Sequence, residues 1–287
     1  MGACLAHAGE HVTMVVRPSA LAAFPDHLHL ESTFGTFDEA VKRASSVPDA
    51  DVLWITVKAT QLDEALRSVP EAIALDAVVP LLNGIDHIAS LSHRFGAARV
   101  IPATIAGESE RVAPGRVSHP SPFARLNVAE RGRAQLEAVV EKLASIGFSC
   151  SFIDDEATLM WSKLVLLGPL ALSTSAAALP VGEVVGDAHR RQQLEACVRE
   201  ACAVATAEGA TVKAEAVAAT IKSLPADMRS SMQKDVDHGN PPELDAIAGP
   251  IVRGGALHGI PVPATQALAW AVERRAQTIL DSRTKAT

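Results

Sequence analysis

The sequence predicts an α/β domain built on a parallel sheet, followed by an all-helical domain. Short apolar runs alternate with helical patterns as far as residue 153, and this alternation is typical of strands buried on both faces of a parallel sheet. After residue 153 no run has strand character, and apolar residues recur at helical spacing between Gly and Pro. We therefore expect a first domain at residues 1–153 and a second at 154–287.

Four apolar or β-branched runs predict the strands of the sheet. They cover residues 11–16, 51–57, 77–82 and 99–106. Helical patterns at 61–68 and 86–95 lie between them, as expected for strand–helix–strand units. Residues 112–128 are rich in Pro and Ser and indicate a β-hairpin or an edge strand.

Three stretches from residue 133 onward predict helices. Residues 133–146 form an amphipathic pattern at the end of the first domain, and 192–208 have helical spacing closed by Gly209. The stretch 159–181 is apolar enough to suggest a membrane span, but it contains Lys163 and Pro169. We interpret it as a buried core helix.

Composition excludes several classes of protein. The 287 residues include 26 Lys and Arg and 33 Asp and Glu, for a net charge of −7, which does not suit nucleic acid or an anionic membrane. Tyrosine is absent, so no tyrosine can act as a proton donor. The four cysteines form no C-x-x-C pair, and we expect no disulfide, no structural metal and a cytoplasmic location. These cysteines are Cys4, Cys150, Cys197 and Cys202.

The N-terminus resembles the middle of a dinucleotide-binding unit. Residues 2–9 predict a helix ended by Gly9 that leads directly into a strand. The first strand and the glycine-rich turn that hold a pyrophosphate are not in the sequence, so we expect either a natural start further upstream or weak NADPH binding. Gly2 has two interpretations: the last glycine of such a turn, or part of an ordinary N-terminal helix.

Arg17 stands directly after this strand, where an acidic residue would accept the ribose hydroxyls of NAD. An arginine at this place suits the 2′-phosphate of NADP, because its guanidinium offers a fork of donors and a positive charge. The alternative is an ordinary solvated surface arginine.

Polar residues also follow the next two strands. Lys58 and Gln61 come after the run 51–57, and Asn83 follows the run 77–82. Because open parallel sheets bind ligands at the carboxyl ends of their strands, these residues predict a crevice at one sheet edge. Each segment alone could also be a simple turn.

Lys163 lies inside an apolar helical pattern. Burial there would lower its pKa and suit it to general acid catalysis. The alternative is a lysine at the flank of the helix that extends its amine to solvent.

Together, the order of these motifs resembles the ketopantoate reductase family. The motifs are V-K-A-x-Q at 57–61, N-G at 83–84, W-x-K-L at 161–164, S-S-M-x-x-D at 230–235, E-L-D-x-x-x-G at 243–249 and H-G-I-P-V-P at 258–263. The resemblance implies a Rossmann-like N-terminal domain lacking its first strand, a helical C-terminal domain, and NADPH-dependent reduction of a 2-keto acid. A homodimer is a further implication.

The resemblance also implies roles for individual residues. Arg17, Lys58, Gln61 and Asn83 would lie along the cofactor, with Asn83 also near the substrate. Lys163 would donate the proton as hydride arrives at the carbonyl carbon. Ser231 would hydrogen-bond a substrate hydroxyl. Glu243 would orient the lysine, the substrate or the ribose.

Three positions depart from the family pattern. Leu167, Ala171 and Val181 stand where the family has asparagines. Losing three amides makes the pocket more apolar, so a paralogue that reduces a more apolar 2-keto acid is one alternative. A binding or regulatory protein with the same fold, suggested by the missing turn, is another. Five single histidines are expected to be exposed or structural: His7, His11, His87, His119 and His258.

Overall fold

The computed structural model describes residues 1–284, which divide into two compact units. The sheet unit contains Met1–Val57, Gln61–Leu82 and Ile88–Asp154. The helical unit contains Lys58–Thr60, Asn83–His87 and the chain from Asp155 onward. The main division therefore falls after Asp154. Two short segments that precede it in sequence nevertheless belong with the helices.

The sheet unit has eleven strands among its described residues. They are β1 (Thr13–Val15), β2 (His27–Ser32), β3 (Gly35–Ala40), β4 (Lys42–Ala44), β5 (Ala50–Ile55), β6 (Leu75–Pro80), β7 (Ala103–Ala106), β8 (Glu110–Ala113), β9 (Arg116–His119), β10 (Ala124–Ala129) and β11 (Phe148–Ile153). Its helices are α1 (Gly2–His7), α2 (Leu62–Leu66), α3 (His87–Phe95, of which His87 belongs to the helical unit) and α4 (Arg133–Ser145).

The sequence correctly predicts that strands of this unit pair in parallel. β1 pairs in parallel with β4, and β5 pairs in parallel with β6. The centre of β6 is fully buried, since Ala77, Val78 and Val79 have no exposed surface. This is the environment in which continuous apolar runs form strands.

The predicted strand at 99–106 forms only in part. Val100 makes an isolated parallel bridge to Val78, whereas β7 begins at Ala103 and pairs antiparallel with β10. Pro102 lies between the two and has no N–H to donate to a ladder. The predicted hairpin within 112–128 is present as β8 and β9, which pair antiparallel.

The β2–β3 hairpin is an element that the sequence analysis did not predict. β2 alternates polar and apolar residues, and its Leu28 and Leu30 are buried together with Phe37 of β3. Such period-2 alternation is the signal of a strand with one buried face. β3, β2, β9 and β8 form one four-stranded sheet in that order.

The N-terminal helix approaches β1 closely. A Cβ atom placed on Gly2 would lie 2.9 Å from Met14 Sδ and 3.2 Å from Leu28 Cδ1. Gly9, at a φ of 85°, ends the helical turn and leads the chain toward β1. Gly2 therefore permits the close contact between helix and strand that a side chain would obstruct.

The helical unit is built on seven helices among the described residues, with no strand. They are α5 (Glu156–Ala177), α6 (Val181–Gly186), α7 (Ala188–Ala207), α8 (Ala214–Lys222), α9 (Ser231–Asp237), α10 (Leu244–His258) and α11 (Pro263–Thr284). α5 is long and apolar enough to cross a membrane, but two thirds of its most apolar stretch is buried inside the protein. It packs against α7, α9 and α11 as a core helix.

The four cysteines are free. Cys197 and Cys202 lie in the buried stripe of α7 that the sequence predicts. Burial raises the pKa of the Cys197 thiol to about 12 and that of Cys202 to about 11. Neither side chain is a thiolate at neutral pH, so both act as small apolar residues of the core.

Candidate active site

The buried carboxylate of Glu243 joins three separate parts of the chain. Glu243 immediately precedes α10 and is only 7% exposed. Its Oε1 accepts a hydrogen bond from the Ala59 backbone N–H at 2.8 Å, and its Oε2 accepts one from Asn83 Nδ2 at 3.1 Å. Since a buried charge must be satisfied by donors, these contacts bind the segments 58–60 and 83–87 to the start of α10.

Lys163 supplies the cation of this site. It lies in the third turn of α5, between the buried residues Trp161 and Leu164. Burial lowers the pKa of Lys163 to about 8, and the negative charge of Glu243 acts in the opposite direction. An ammonium with this pKa gives up its proton more readily than an exposed lysine does.

The segment 83–87 is fixed to α10 at three points. Asn83 is held by Glu243, and Asp86 forms an ion pair with Arg253. Between them, Gly84 has a φ of 84°, and a Cβ placed there would lie 2.3 Å from the carbonyl oxygen of Ala246. Only glycine permits this conformation and this approach together.

Lys58 is held in a similar way by α9. Its Nζ lies 2.6 Å and 2.7 Å from the two carboxylate oxygens of Asp235. Asp235 is the last residue of the S-S-M-x-x-D motif. The sequence analysis did not assign it a partner, because the two residues are 177 positions apart.

The two serines of that motif have different environments. Ser230 is buried and caps α9, since its Oγ accepts a hydrogen bond from the Gln233 N–H at 3.1 Å and lies 2.9 Å from Thr174 Oγ1. Ser231 is exposed at the first position of the helix. The hydroxyl of Ser231 is thus the one that remains free to meet a ligand.

His87, which the sequence predicts to be exposed or structural, is buried. It is 7% exposed, and its Nε2 has no hydrogen-bond partner. Burial lowers the pKa of His87 to about 4, with Asp86 opposing the change and Lys163 adding to it. A structural role for His87 does not account for its unpaired Nε2. His119 is buried as well: its Nδ1 lies 3.0 Å from Ser32 Oγ, and its Nε2, like that of His87, has no hydrogen-bond partner.

The predicted site residues are thus divided between the two units. Lys58, Asn83, Lys163, Ser231 and Glu243 belong to the helical unit. Arg17 and Gln61 belong to the sheet unit. Arg17 follows β1 and its side chain is 60% exposed, with its Nε 3.4 Å from the Glu64 carboxylate. Gln61 ends a 3₁₀ turn and precedes α2.

The sheet unit contains features that fit part of a dinucleotide cofactor. The exposed guanidinium of Arg17 at the carboxyl end of β1 is accessible to a phosphate. Gly2 packs so closely on Met14 that an added Cβ would lie 2.9 Å from its Sδ, as expected of the residue that ends a glycine turn. The residues present therefore fit the nucleotide at the end where Arg17 lies.

The three side chains that replace the family's asparagines lie in or against apolar core clusters. Ala171 has no exposed surface and Val181 has 1%. Leu167 is partly buried and packs against the same core cluster as Ala171. Val181 belongs to a second cluster with Leu164 and Trp161.

A Rossmann-like sheet unit joined to a helical unit that holds a buried Lys–Glu site defines a pyridine-nucleotide oxidoreductase. The chain belongs to the ketopantoate reductase family. The family model for ketopantoate reductase PanE/ApbA matches residues 1–132, and the model for its C-terminal domain matches 156–276.

Individual relatives agree with this assignment. A 2-dehydropantoate 2-reductase of Mycobacterium tuberculosis is 30% identical over 76% of this chain and 74% of its own. One of Caulobacter vibrioides is 29% identical over 92% of this chain and 90% of its own. The crystal structure of a PanE/ApbA family ketopantoate reductase from Ralstonia eutropha JMP134 is 25% identical, with a TM-score of 0.84 over 96% of this chain and 94% of its own. The protein is an oxidoreductase of the 2-dehydropantoate 2-reductase type.

The close approach at Gly84 yields a prediction with a matched control. Gly96 has nearly the same φ, 87°, but nothing lies within 4 Å of a Cβ placed there. Gly84→Ala and Gly96→Ala therefore both incur the left-handed backbone strain, about 1–2 kcal/mol. Gly84→Ala must also displace Ala246, and we expect it to lose about 1–3 kcal/mol more. Urea unfolding of both variants measures the difference, and equal losses would contradict the close contact.

Proposed function

We propose that this protein reduces a 2-keto acid to the 2-hydroxy acid with NADPH, and that Lys163 is the general acid. The observation that carries the proposal is Lys163, whose pKa is lowered to about 8 by burial and which lies within electrostatic range of the buried Glu243 carboxylate. Ketopantoate is the substrate suggested by the names of the curated relatives.

Lys163, Glu243 and Ser231 have separate roles in the proposed reaction. The bound NADPH supplies the hydride that reduces the carbonyl carbon. Lys163 stabilises the negative charge that develops on the carbonyl oxygen and then donates a proton to it. Glu243 supplies a negative charge that favours the protonated form of Lys163, and it is itself fixed by Asn83 and the Ala59 N–H. Ser231 offers a hydroxyl to the substrate.

Substitution of Lys163 tests this proposal. We expect Lys163→Ala to lower kcat by about 10²–10⁴-fold, the usual contribution of a general acid, because no other donor replaces the ammonium. The affinity for NADPH, measured by fluorescence titration, should stay nearly the same. Lys222→Ala removes an exposed ammonium of α8 that pairs with Glu195, and this control should keep full activity. Unchanged turnover in Lys163→Ala would remove Lys163 from the mechanism.

The pH dependence of the reduction follows from the same pair. Lys163 must hold its proton, so the rate should fall as pH rises through about 8, where the amine deprotonates. Glu243→Gln removes the charge that raises this pKa, so the falling limb should move to lower pH. Glu195→Gln, which removes a half-buried carboxylate of α7 that pairs with Lys222, should leave the limb in place. A limb that does not move in Glu243→Gln would show that Glu243 does not act on Lys163.

We also propose that the cofactor is NADP rather than NAD, with Lys58, Gln61, Asn83 and Glu243 along it. The exposed Arg17 after β1 supports this choice because its charge suits a 2′-phosphate.

Arg17→Ala tests the cofactor choice. We expect it to weaken NADPH binding by roughly tenfold or more and to leave NADH binding unchanged, since NADH has no 2′-phosphate. Arg116→Ala, an exposed arginine of β9 paired with Glu31, is the matched control. Equal weakening of both cofactors in a fluorescence titration would assign Arg17 a structural role instead.

A second candidate is reduction of a more apolar 2-keto acid. The apolar Leu167, Ala171 and Val181 favour it, because they offer no amide to a hydroxyl-bearing acid. Turnover of ketopantoate against branched-chain 2-keto acids separates the two candidates, and a clear preference for ketopantoate excludes the second.

Three other sequence-based inferences remain predictions. They are the homodimer, the cytoplasmic location and the alternative of a non-catalytic binding protein. Measurable turnover of any 2-keto acid excludes the last of these.

A further inference from the structure

The segment 58–60 is held by two carboxylates of the helical unit. Lys58 Nζ lies 2.6 Å and 2.7 Å from the two carboxylate oxygens of Asp235 on α9. The next residue, Ala59, donates its backbone N–H to Glu243 Oε1 at 2.8 Å. The segment and both carboxylates belong to the same compact unit. Because the Ala59 N–H lies in the peptide plane that begins at the Lys58 Cα, a movement of Lys58 also moves this N–H.

Asp235 has a fixed place because α9 is anchored at both ends. At its start, Ser230 Oγ lies 2.9 Å from Thr174 Oγ1 of α5. At its end, Asp237 forms an ion pair with Arg275 of α11. Between these two contacts the helix packs against α5 and α11. A side chain on a helix that is held in this way can hold a neighbouring loop precisely.

The geometry of the Lys58–Asp235 pair allows it to hold the segment and still leaves Lys58 accessible. The Asp235 side chain is only 15% exposed, so water and salt screen this pair less than they screen an ordinary surface pair. The Lys58 side chain is 43% exposed. Its ammonium has three N–H donors, and the two oxygens of Asp235 take at most two of them. At least one donor of Lys58 therefore remains for a ligand.

Asp235 has two opposite effects on an anionic cofactor at Lys58. A lysine and a loop that are already ordered need no further ordering when a ligand binds, which favours binding. A negative charge next to the ammonium weakens its attraction for phosphate groups, which opposes binding. Since the two effects differ in sign, variants that change one and not the other can separate them.

We propose that Asp235 is a positioning residue for the cofactor, which holds Lys58 and, through the Ala59 N–H, Glu243 in place before NADPH binds. This inference rests on the proposed function, because it takes NADPH to be the cofactor and Lys58 and Glu243 to lie along it. Asp235 acts through Lys58 and is assigned no contact with the cofactor itself.

The experiment compares two variants that have lost the same charge. Asp235→Asn keeps an oxygen that accepts a hydrogen bond from Lys58, whereas Asp235→Ala removes it. Both are also made together with Lys58→Met, which lacks the ammonium. Glu195→Gln and Glu195→Ala are the matched controls, because Glu195 forms a 2.7 Å ion pair of similar exposure with Lys222 between α7 and α8. NADPH affinity is measured by fluorescence titration, and hydrogen exchange of the Ala59 amide by NMR on the free protein.

We expect Asp235→Ala to bind NADPH about three- to tenfold more weakly than Asp235→Asn, the usual effect of losing one hydrogen bond. The Ala59 amide should exchange faster in Asp235→Ala by a similar factor, since its hydrogen bond opens more often. With Lys58→Met present, the two Asp235 variants should behave alike. The two Glu195 variants should match each other in both measurements.

Three results would each overturn the proposal. They are equal NADPH affinities of Asp235→Asn and Asp235→Ala, unchanged exchange of the Ala59 amide in Asp235→Ala, and a difference that persists with Lys58→Met. Faster exchange confined to the amides of α9 would assign Asp235 a role in that helix alone and also overturns it. Lys58→Met by itself should speed the exchange of the Ala59 amide, so the contact is tested even where Asp235→Ala does not fold.

The two levels of inference can fail separately. If the wild type binds no NADPH, the proposed function fails and the role of Asp235 toward the cofactor fails with it. The exchange of the Ala59 amide still shows whether Asp235 holds the segment 58–60, because that measurement needs no cofactor. If the wild type binds NADPH but the Asn and Ala variants bind it equally, only the role of Asp235 is overturned.

Discussion

The buried carboxylate of Glu243 is the interaction on which the site depends. It takes one hydrogen bond from a backbone N–H, one from a side-chain amide, and the electrostatic influence of Lys163. A carboxylate with so little exposure is stable only when donors surround it. The same requirement therefore determines where Ala59 and Asn83 lie and keeps the charge that opposes the desolvation of Lys163. The need to satisfy the Glu243 carboxylate thus accounts both for the positions of Ala59 and Asn83 and for the charge that acts on Lys163.

Much of the fold follows from the sequence because burial determines its apolar pattern. β5 and β6 were predicted to within two residues, since strands buried on both faces consist of continuous apolar runs. The β2–β3 hairpin was missed although Leu28 and Leu30 alternate with polar residues, which is a readable signal. The interruption at Pro102 was also readable, because proline cannot donate to a ladder.

The site could be predicted less completely, for a physical reason. Lys163 stands out as a cation in an apolar helix, and the resemblance supplies Glu243. The contact between Lys58 and Asp235 joins residues 177 positions apart, and no local pattern encodes it. The burial of His87 depends on packing within the helical unit, so a lone histidine at the start of a helix carries no sign of it. The sequence shows which reactive side chains are present, whereas the tertiary structure determines which residues they contact.

The short segments 58–60 and 83–87 also determine how the chain can be divided. They lie far upstream of residue 155, yet they belong to the helical unit and satisfy Glu243 and Asp235 there. A fragment that begins at residue 155 would keep both carboxylates and lose the Ala59, Asn83 and Lys58 donors that hydrogen-bond to them. The helical unit is therefore incomplete when it is cut at residue 155. Recombination at the apparent boundary would therefore separate the helical scaffold from two segments that complete its candidate site.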